Sequence, residues 1–312
     1  MAMKKTVVFY PGLAVSHFVP MMQLADALLE EGYAVVVAVI DITNEQNLAF
    51  AVDRVAASKP SVTFHTLPRI KDPPTFTNDA RFILGYFELV RRYNKHLGDL
   101  LRSLPTGSVR AVVVESLSNE AIDVTREMGI PAYTFFAWSA SALAACLQLS
   151  SIPTEGQLSF RELGDSPLDL LGIPPVPASH LLLEFLEDPK SEIYQATVSS
   201  FRKNLEADGI LVNAFASLEA QALGALEGPR FPFGPGIEVA APQAYSVGPL
   251  EKAGETKAGH ECLAWLDTQS ERSVELLGIG SSGSPRRLIP PSKISLNLSA
   301  GSDGWVTNTS EG

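Results

Sequence analysis

Cysteine is scarce: Cys146 and Cys262 are the only two in 312 residues. So distant a pair is neither a disulfide framework nor a metal-spaced motif, and a reducing compartment is expected. Basic charge is also short. The net charge of −11 leaves no basic stripe for a nucleic-acid backbone. Long apolar runs are missing. The cleanest, Ala34–Ile40, is far shorter than a membrane span. Lys4-Lys5 precede an apolar stretch, but Pro11-Gly12 interrupt it and no small-residue cleavage site follows, so a cytoplasmic protein without a membrane span is expected. Asn297 and Asn308 sit in glycosylation-like triplets that read as coincidence in that setting. No phosphate-binding loop, no Gly-x-Ser-x-Gly elbow with partners and no internal repeat is found.

What is present is alternation. Thr6–Tyr10, Ala34–Ile40, Val62–Leu67, Val109–Val114 and Ile130–Phe136 read as buried strands, and helical patterns follow them. The helices are expected over Pro20–Gly32, Thr43–Ser58, Asn78–Leu104, Asn119–Met128 and Ser139–Leu149. Such βα repeats with near-continuous apolar strands imply a parallel sheet covered on both faces. Residues 152–178 are proline-rich and irregular. A helix near 191–205, a strand at Gly209–Asn213 and a short helix opening at Ser217 come next. After 284 the chain turns to Ser, Pro, Asn and Gly, without periodicity, and reads as disordered.

The chemistry gathers at the first turn, Tyr10–Pro20. It places His17 at the carboxyl end of the first strand, where open α/β sheets bind ligands. A histidine there can accept a proton from a hydroxyl, or it is a solvated loop residue. Glu115 ends the fourth strand on the same edge. It either orients an imidazole, as the acid of a catalytic dyad does, or is a solvated strand end. A dinucleotide site needs a glycine-rich first turn, and here that turn holds only Gly12. Asp41 mimics a ribose-binding acid but stands alone. His65, His96, His180 and His260 read as structural or surface residues, with no zinc spacing around Cys262.

Several stretches together resemble the plant family 1 UDP-glycosyltransferases that act on flavonoids and other phenolics. They are Ser16–Pro20, Ala111–Glu115, Glu127–Tyr133, Asp208–Glu219, Tyr245–Leu250 and Cys262–Asp267, in the family's order, so the resemblance covers about residues 6–283. It implies an α/β, GT-B type architecture. Residues 1–244 would be an N-terminal Rossmann-like, acceptor-binding domain. Residues 245–283 would be a linker and the start of the donor domain, and 284–312 a divergent tail. His17 and Glu115 would be the catalytic pair, with His17 the general base. Ser139, Gly280 and Ser281 would meet the donor, and Phe82, Phe87, Phe136 and Trp138 are candidates for the acceptor wall, or else ordinary core. The co-substrate would be a UDP-sugar, UDP-glucose first among them. The acceptor would be a small phenolic, and neither metal nor cofactor is implied.

Three departures stand out. The family usually has Asp where Glu115 stands, and the extra methylene is expected to displace the carboxylate by about a bond length, where dyads tolerate roughly 1 Å. Glu275 puts a charge in a strand that the family keeps apolar, which is costly in a buried parallel strand unless paired. The family's donor box, with its His-Cys-Gly-Trp core and closing Glu-Gln, is not found; the tryptophans are Trp138, Trp265 and Trp305. Resemblance stops near Gly283, as a frame change or alternative splice would produce. The expectation is a C-terminally truncated enzyme with little or no transfer of its own. The alternatives are a non-catalytic small-molecule-binding or interaction module and a nicotinamide-dependent oxidoreductase.

Overall fold

The computed structural model describes residues 4–40, 46–76, 79–152, 156–227, 230–232, 238–248, 250, 261–270, 273, 275–277 and 305–307. Two compact units divide the chain, Met1–Glu251 and Lys252–Gly312.

In the first unit, seven strands among the described residues form one sheet: β1 (Thr6–Tyr10), β2 (Ala34–Ile40), β3 (Val62–Leu67), β4 (Val109–Glu115), β5 (Ala132–Phe136), β6 (Gly209–Val212) and β7 (Ala244–Ser246). Their order is 3-2-1-4-5-6-7, and every pairing is parallel. This is a Rossmann-like doubly wound sheet, whose strand order reverses between β1 and β4. All five residues of β1 are buried, as a central strand covered on both faces requires. The 244/245 division read from the sequence falls inside β7, which this sheet retains.

The helices are α1 (Val15–Glu30), α2 (Gln46–Ser58), α3 (Phe82–Ser103), α4 (Ala121–Glu127), α5 (Ala140–Ser151), α6 (Glu192–Lys203) and α7 (Ala220–Leu226). The expected start of α1 needs correction. Pro20 lies inside the helix, not at its first position, so His17 belongs to the first turn of α1 and not to a loop. Proline at position 20 leaves the Ser16 carbonyl without its helical donor, and Ser16 is exposed, where water can satisfy it. Gly32 ends the helix as expected, with a φ of 83° that suits glycine.

The expectation of an irregular segment after α5 is only partly met. It contains a helical turn, Phe160–Leu163, closed by a capping box between Ser159 and Glu162. Pro167–Leu168 pairs antiparallel with Val176–Pro177. Phe160 of this segment packs edge-on against Phe185, which is almost fully buried and stacks on Phe201 of α6 at 5.7 Å between ring centres.

In the second unit, Glu261–Leu266 is helical, and Glu275–Leu277 pairs antiparallel with Trp305–Thr307. That corrects two expectations. Glu275 is not in a parallel ladder here, and three residues of the tail read as disordered form a strand. No helix among the described residues is long and apolar enough to cross a membrane.

Candidate active site

The site grows from the point where the strand order reverses. β1 delivers the chain to Tyr10, the turn runs through Pro11–Ala14, and α1 begins at Val15 without a side-chain cap. His17 shares a face of α1 with Met21, Met22, Leu24 and Ala25, the face turned to the core. It is therefore only 8% exposed, which rules out the solvated-loop reading. β4 runs beside β1 and ends at Glu115, whose side chain is fully buried.

The two meet. His17 Nδ1 lies 3.1 Å from Glu115 Oε1. The second donor to Oε1 is the Ser116 hydroxyl at 2.9 Å. The other oxygen, Oε2, receives the Leu117 backbone N–H at 3.0 Å and the Tyr86 hydroxyl at 3.1 Å. Four donors on two oxygens suit a carboxylate, which only accepts. With such a partner His17 carries its proton on Nδ1, and Nε2 is left with its lone pair. Geometry of this kind prepares an imidazole to take a proton and steadies the imidazolium that results.

With its extra methylene, Glu115 still reaches His17 within hydrogen-bond distance. The longer side chain is accommodated against Gly12. A Cβ at position 12 would lie 2.8 Å from Glu115 Oε2 and 2.9 Å from the Tyr86 hydroxyl oxygen, so only glycine leaves room.

The aromatic candidates divide. Trp138 is 37% exposed and sets its ring edge-on against His17, 5.4 Å between centres. Phe136 packs on Trp138 at 5.5 Å but is itself core, 1% exposed. Phe82 is 38% exposed and touches Phe76 and Tyr86. Phe87 is buried beside Tyr86. Trp138 alone of the four contacts His17 through its ring among the described residues.

Ser139 caps α5, accepting the Ala142 N–H at 3.2 Å. The carboxylate of Glu219 completes that cap, taking the N–H groups of Ala140 and Ser141 at 3.2 and 3.0 Å. Gly280 and Ser281 lie outside the described residues, as do Asp41 and His260. Among the described residues no group of three or more His, Cys, Asp or Glu side chains is placed to hold a metal ion. Sequence reasoning missed Gly12, Tyr86, Ser116 and Ser118. Tyr86 had only a faint signal, a hydroxyl on a mainly apolar helix face that also carries Tyr93.

No family model matches the chain. Comparison with curated proteins finds UDP-glycosyltransferase 88B1 of Stevia rebaudiana, 30% identical over 285 residues, or 89% of this chain and 60% of that enzyme. The malvidin galactosylase UGT88C3 of Oryza sativa subsp. japonica is 32% identical over 300 residues, or 93% of this chain and 59% of that enzyme. Among solved structures, a UDP-glucosyltransferase from Polygonum tinctorium that glucosylates indoxyl, in complex with 3,4-dichloroaniline, superposes with a TM-score of 0.68 at 28% identity. The match covers 86% of this chain and 57% of that one. The chain therefore spans about three fifths of the length of the curated relatives it matches. Within that span, its sequence and its Rossmann-like fold are those of a homologue of the plant UDP-glycosyltransferases, enzymes of GT-B architecture.

Proposed function

We propose that this chain binds a small phenolic acceptor and activates its hydroxyl for transfer of a sugar from a UDP-sugar. The observation that carries this reading is the buried His17–Glu115 contact at the reversal point of the sheet. Nε2 of His17 accepts the proton of the acceptor hydroxyl. The oxygen then attacks the anomeric carbon, the bond to UDP breaks, and the configuration inverts in a single displacement. Glu115 stabilises the imidazolium while the proton resides there. The ring of Trp138 beside His17 offers an apolar surface for a flat acceptor.

The sugar is glucose in this proposal, although the relatives' names span a galactosylase and a glucosyltransferase. Ser139 would contact the donor sugar, and Gly280-Ser281 the donor phosphates. The 312 residues carry no His-Cys-Gly-Trp box, so they transfer sugar weakly or not at all by themselves.

A thermal-shift titration with a phenolic panel, UDP and UDP-glucose tests this. A ligand at about 100 times its Kd stabilises the fold by about 2.7 kcal/mol. Stabilisation by a phenolic but by neither nucleotide is the expected result. A clear shift with UDP-glucose contradicts the donor part of the proposal. No shift with any phenolic contradicts the acceptor part, and a shift with a nicotinamide dinucleotide favours the oxidoreductase alternative.

A further inference from the structure

The carboxylate of Glu115 is held from a direction that His17 does not supply. Tyr86 stands in the second turn of α3, 3% exposed, on the face that also buries Val90, Tyr93 and Leu97. Its hydroxyl lies 3.1 Å from Glu115 Oε2 and 2.8 Å from Ser118 Oγ. The carboxylate can only accept, so the single phenolic proton goes to Oε2, and Ser118 must donate to the Tyr86 oxygen. Ser118 is fully buried just past the end of β4. The resulting series of hydrogen bonds runs in one direction, from Ser118 through Tyr86 to Glu115. His17 donates to the same carboxylate from the other side. Burial and the charge of Glu115 hold the Tyr86 hydroxyl well above the usual tyrosine range, so it stays a donor.

We infer that Tyr86 is a positioning residue: its hydroxyl fixes the long side chain of Glu115 in the one orientation that receives His17 Nδ1–H, and so leaves Nε2 free as the base. The physical need is specific to glutamate. Its carboxylate has one more torsion to settle than that of aspartate, and α3 supplies the constraint. Gly12 leaves the space that this bond needs, since a Cβ there would crowd both Glu115 Oε2 and the Tyr86 oxygen. The inference rests on the general-base reading of His17, and its test separates the two.

The test is the ring-nitrogen spectrum of His17 in the full chain labelled with [15N]histidine. The signals are identified by their loss in His17→Gln. In the wild type, neutral His17 is expected as a single tautomer with its proton on Nδ1. In Tyr86→Phe the fold persists by far-ultraviolet circular dichroism, and the Nε2–H form rises at least about tenfold, a factor that corresponds to about 1.4 kcal/mol. A purely structural tyrosine would lower the Tm and leave the tautomer alone. An unchanged tautomer in Tyr86→Phe therefore overturns the inference. A wild-type imidazole protonated on Nε2 overturns the general-base reading itself. Should Tyr86→Phe fail to fold, Ser118→Ala takes its place. It removes the donor that orients the phenol, so the tautomer should shift in the same direction, and an unshifted one overturns the inference.

Discussion

Gly12 and Glu115 stand 103 residues apart in sequence, yet the Glu115 carboxylate occupies the space that a side chain on Gly12 would need. Gly12→Ala would place a methyl group 2.8 Å from a carboxylate oxygen that four donors hold in place. Overpacking of this kind typically costs about 1–3 kcal/mol. Chemical denaturation should show that loss, and binding of a phenolic should weaken with it. Wild-type stability in the alanine variant would mean that the carboxylate is loosely held.

Trp138→Ala separates acceptor binding from folding. The ring is more than a third exposed and its neighbours are His17 and Phe136. Removing it should cost up to about 4 kcal/mol, since nearly two thirds of its surface is buried, so affinity is compared only where circular dichroism shows the variant folded. Affinity for a phenolic, measured by calorimetry, should fall at least about tenfold, the factor equivalent to roughly 1.4 kcal/mol. Retained affinity would move the acceptor surface elsewhere, toward Phe82 on α3.

A salt-linked corner ties α4 to α6. Lys203 contacts Asp123 at 2.6 Å and Glu206 at 2.8 Å, and Arg126 reaches Glu206 at 2.8 Å. Partial burial raises the Glu206 carboxyl, but the bonds from Lys203 and Arg126 outweigh it and leave a net lowering. A carboxyl lowered in the folded state adds stability above its unfolded value of about 4.3, and that stability is lost as pH falls through the folded value. Glu206→Gln should therefore destabilise the protein at pH 7, and the gap to wild type should close well below pH 4. The effect is modest, since the groups are partly exposed. A gap that persists in acid would point to packing instead of charge.

Cys146 is a buried free thiol on α5, and desolvation pushes it up to about 12. The thiolate is the reactive form. In a Cys262→Ser background, a chromogenic disulfide reagent at pH 8 should find no thiol in the native protein and a single thiol after denaturation. Rapid native labelling would show that α5 opens readily.

Much of this architecture is legible in the sequence, because parallel strands buried on both faces cannot hide their composition. Ala34–Ile40 and Val62–Leu67 match their observed limits residue for residue. The start of α1 was obscured by Pro20, which resembles a first-position proline but is tolerated deeper in the helix, where the exposed Ser16 carbonyl can turn to water. His17 and Glu115 were visible because chemistry-bearing residues at strand ends stand out against apolar runs. Tyr86 was not, since a tyrosine at helical spacing reads as core. The function of Gly12 depends on which side chain faces it, and no local pattern carries that. The antiparallel pairing of Glu275–Leu277 with Trp305–Thr307 was equally hidden, because three-residue strands leave no periodicity to read.

In the proposed reaction His17, backed by Glu115, takes the proton of a bound phenol. The most direct measurement is the absorbance spectrum of para-nitrophenol titrated with protein at a pH where the free phenol is neutral. The phenolate band should appear on binding to the wild type, and His17→Ala should bind the phenol without producing it. A phenol that stays neutral when bound to the wild type, or one that ionises equally well in His17→Ala, contradicts the claim.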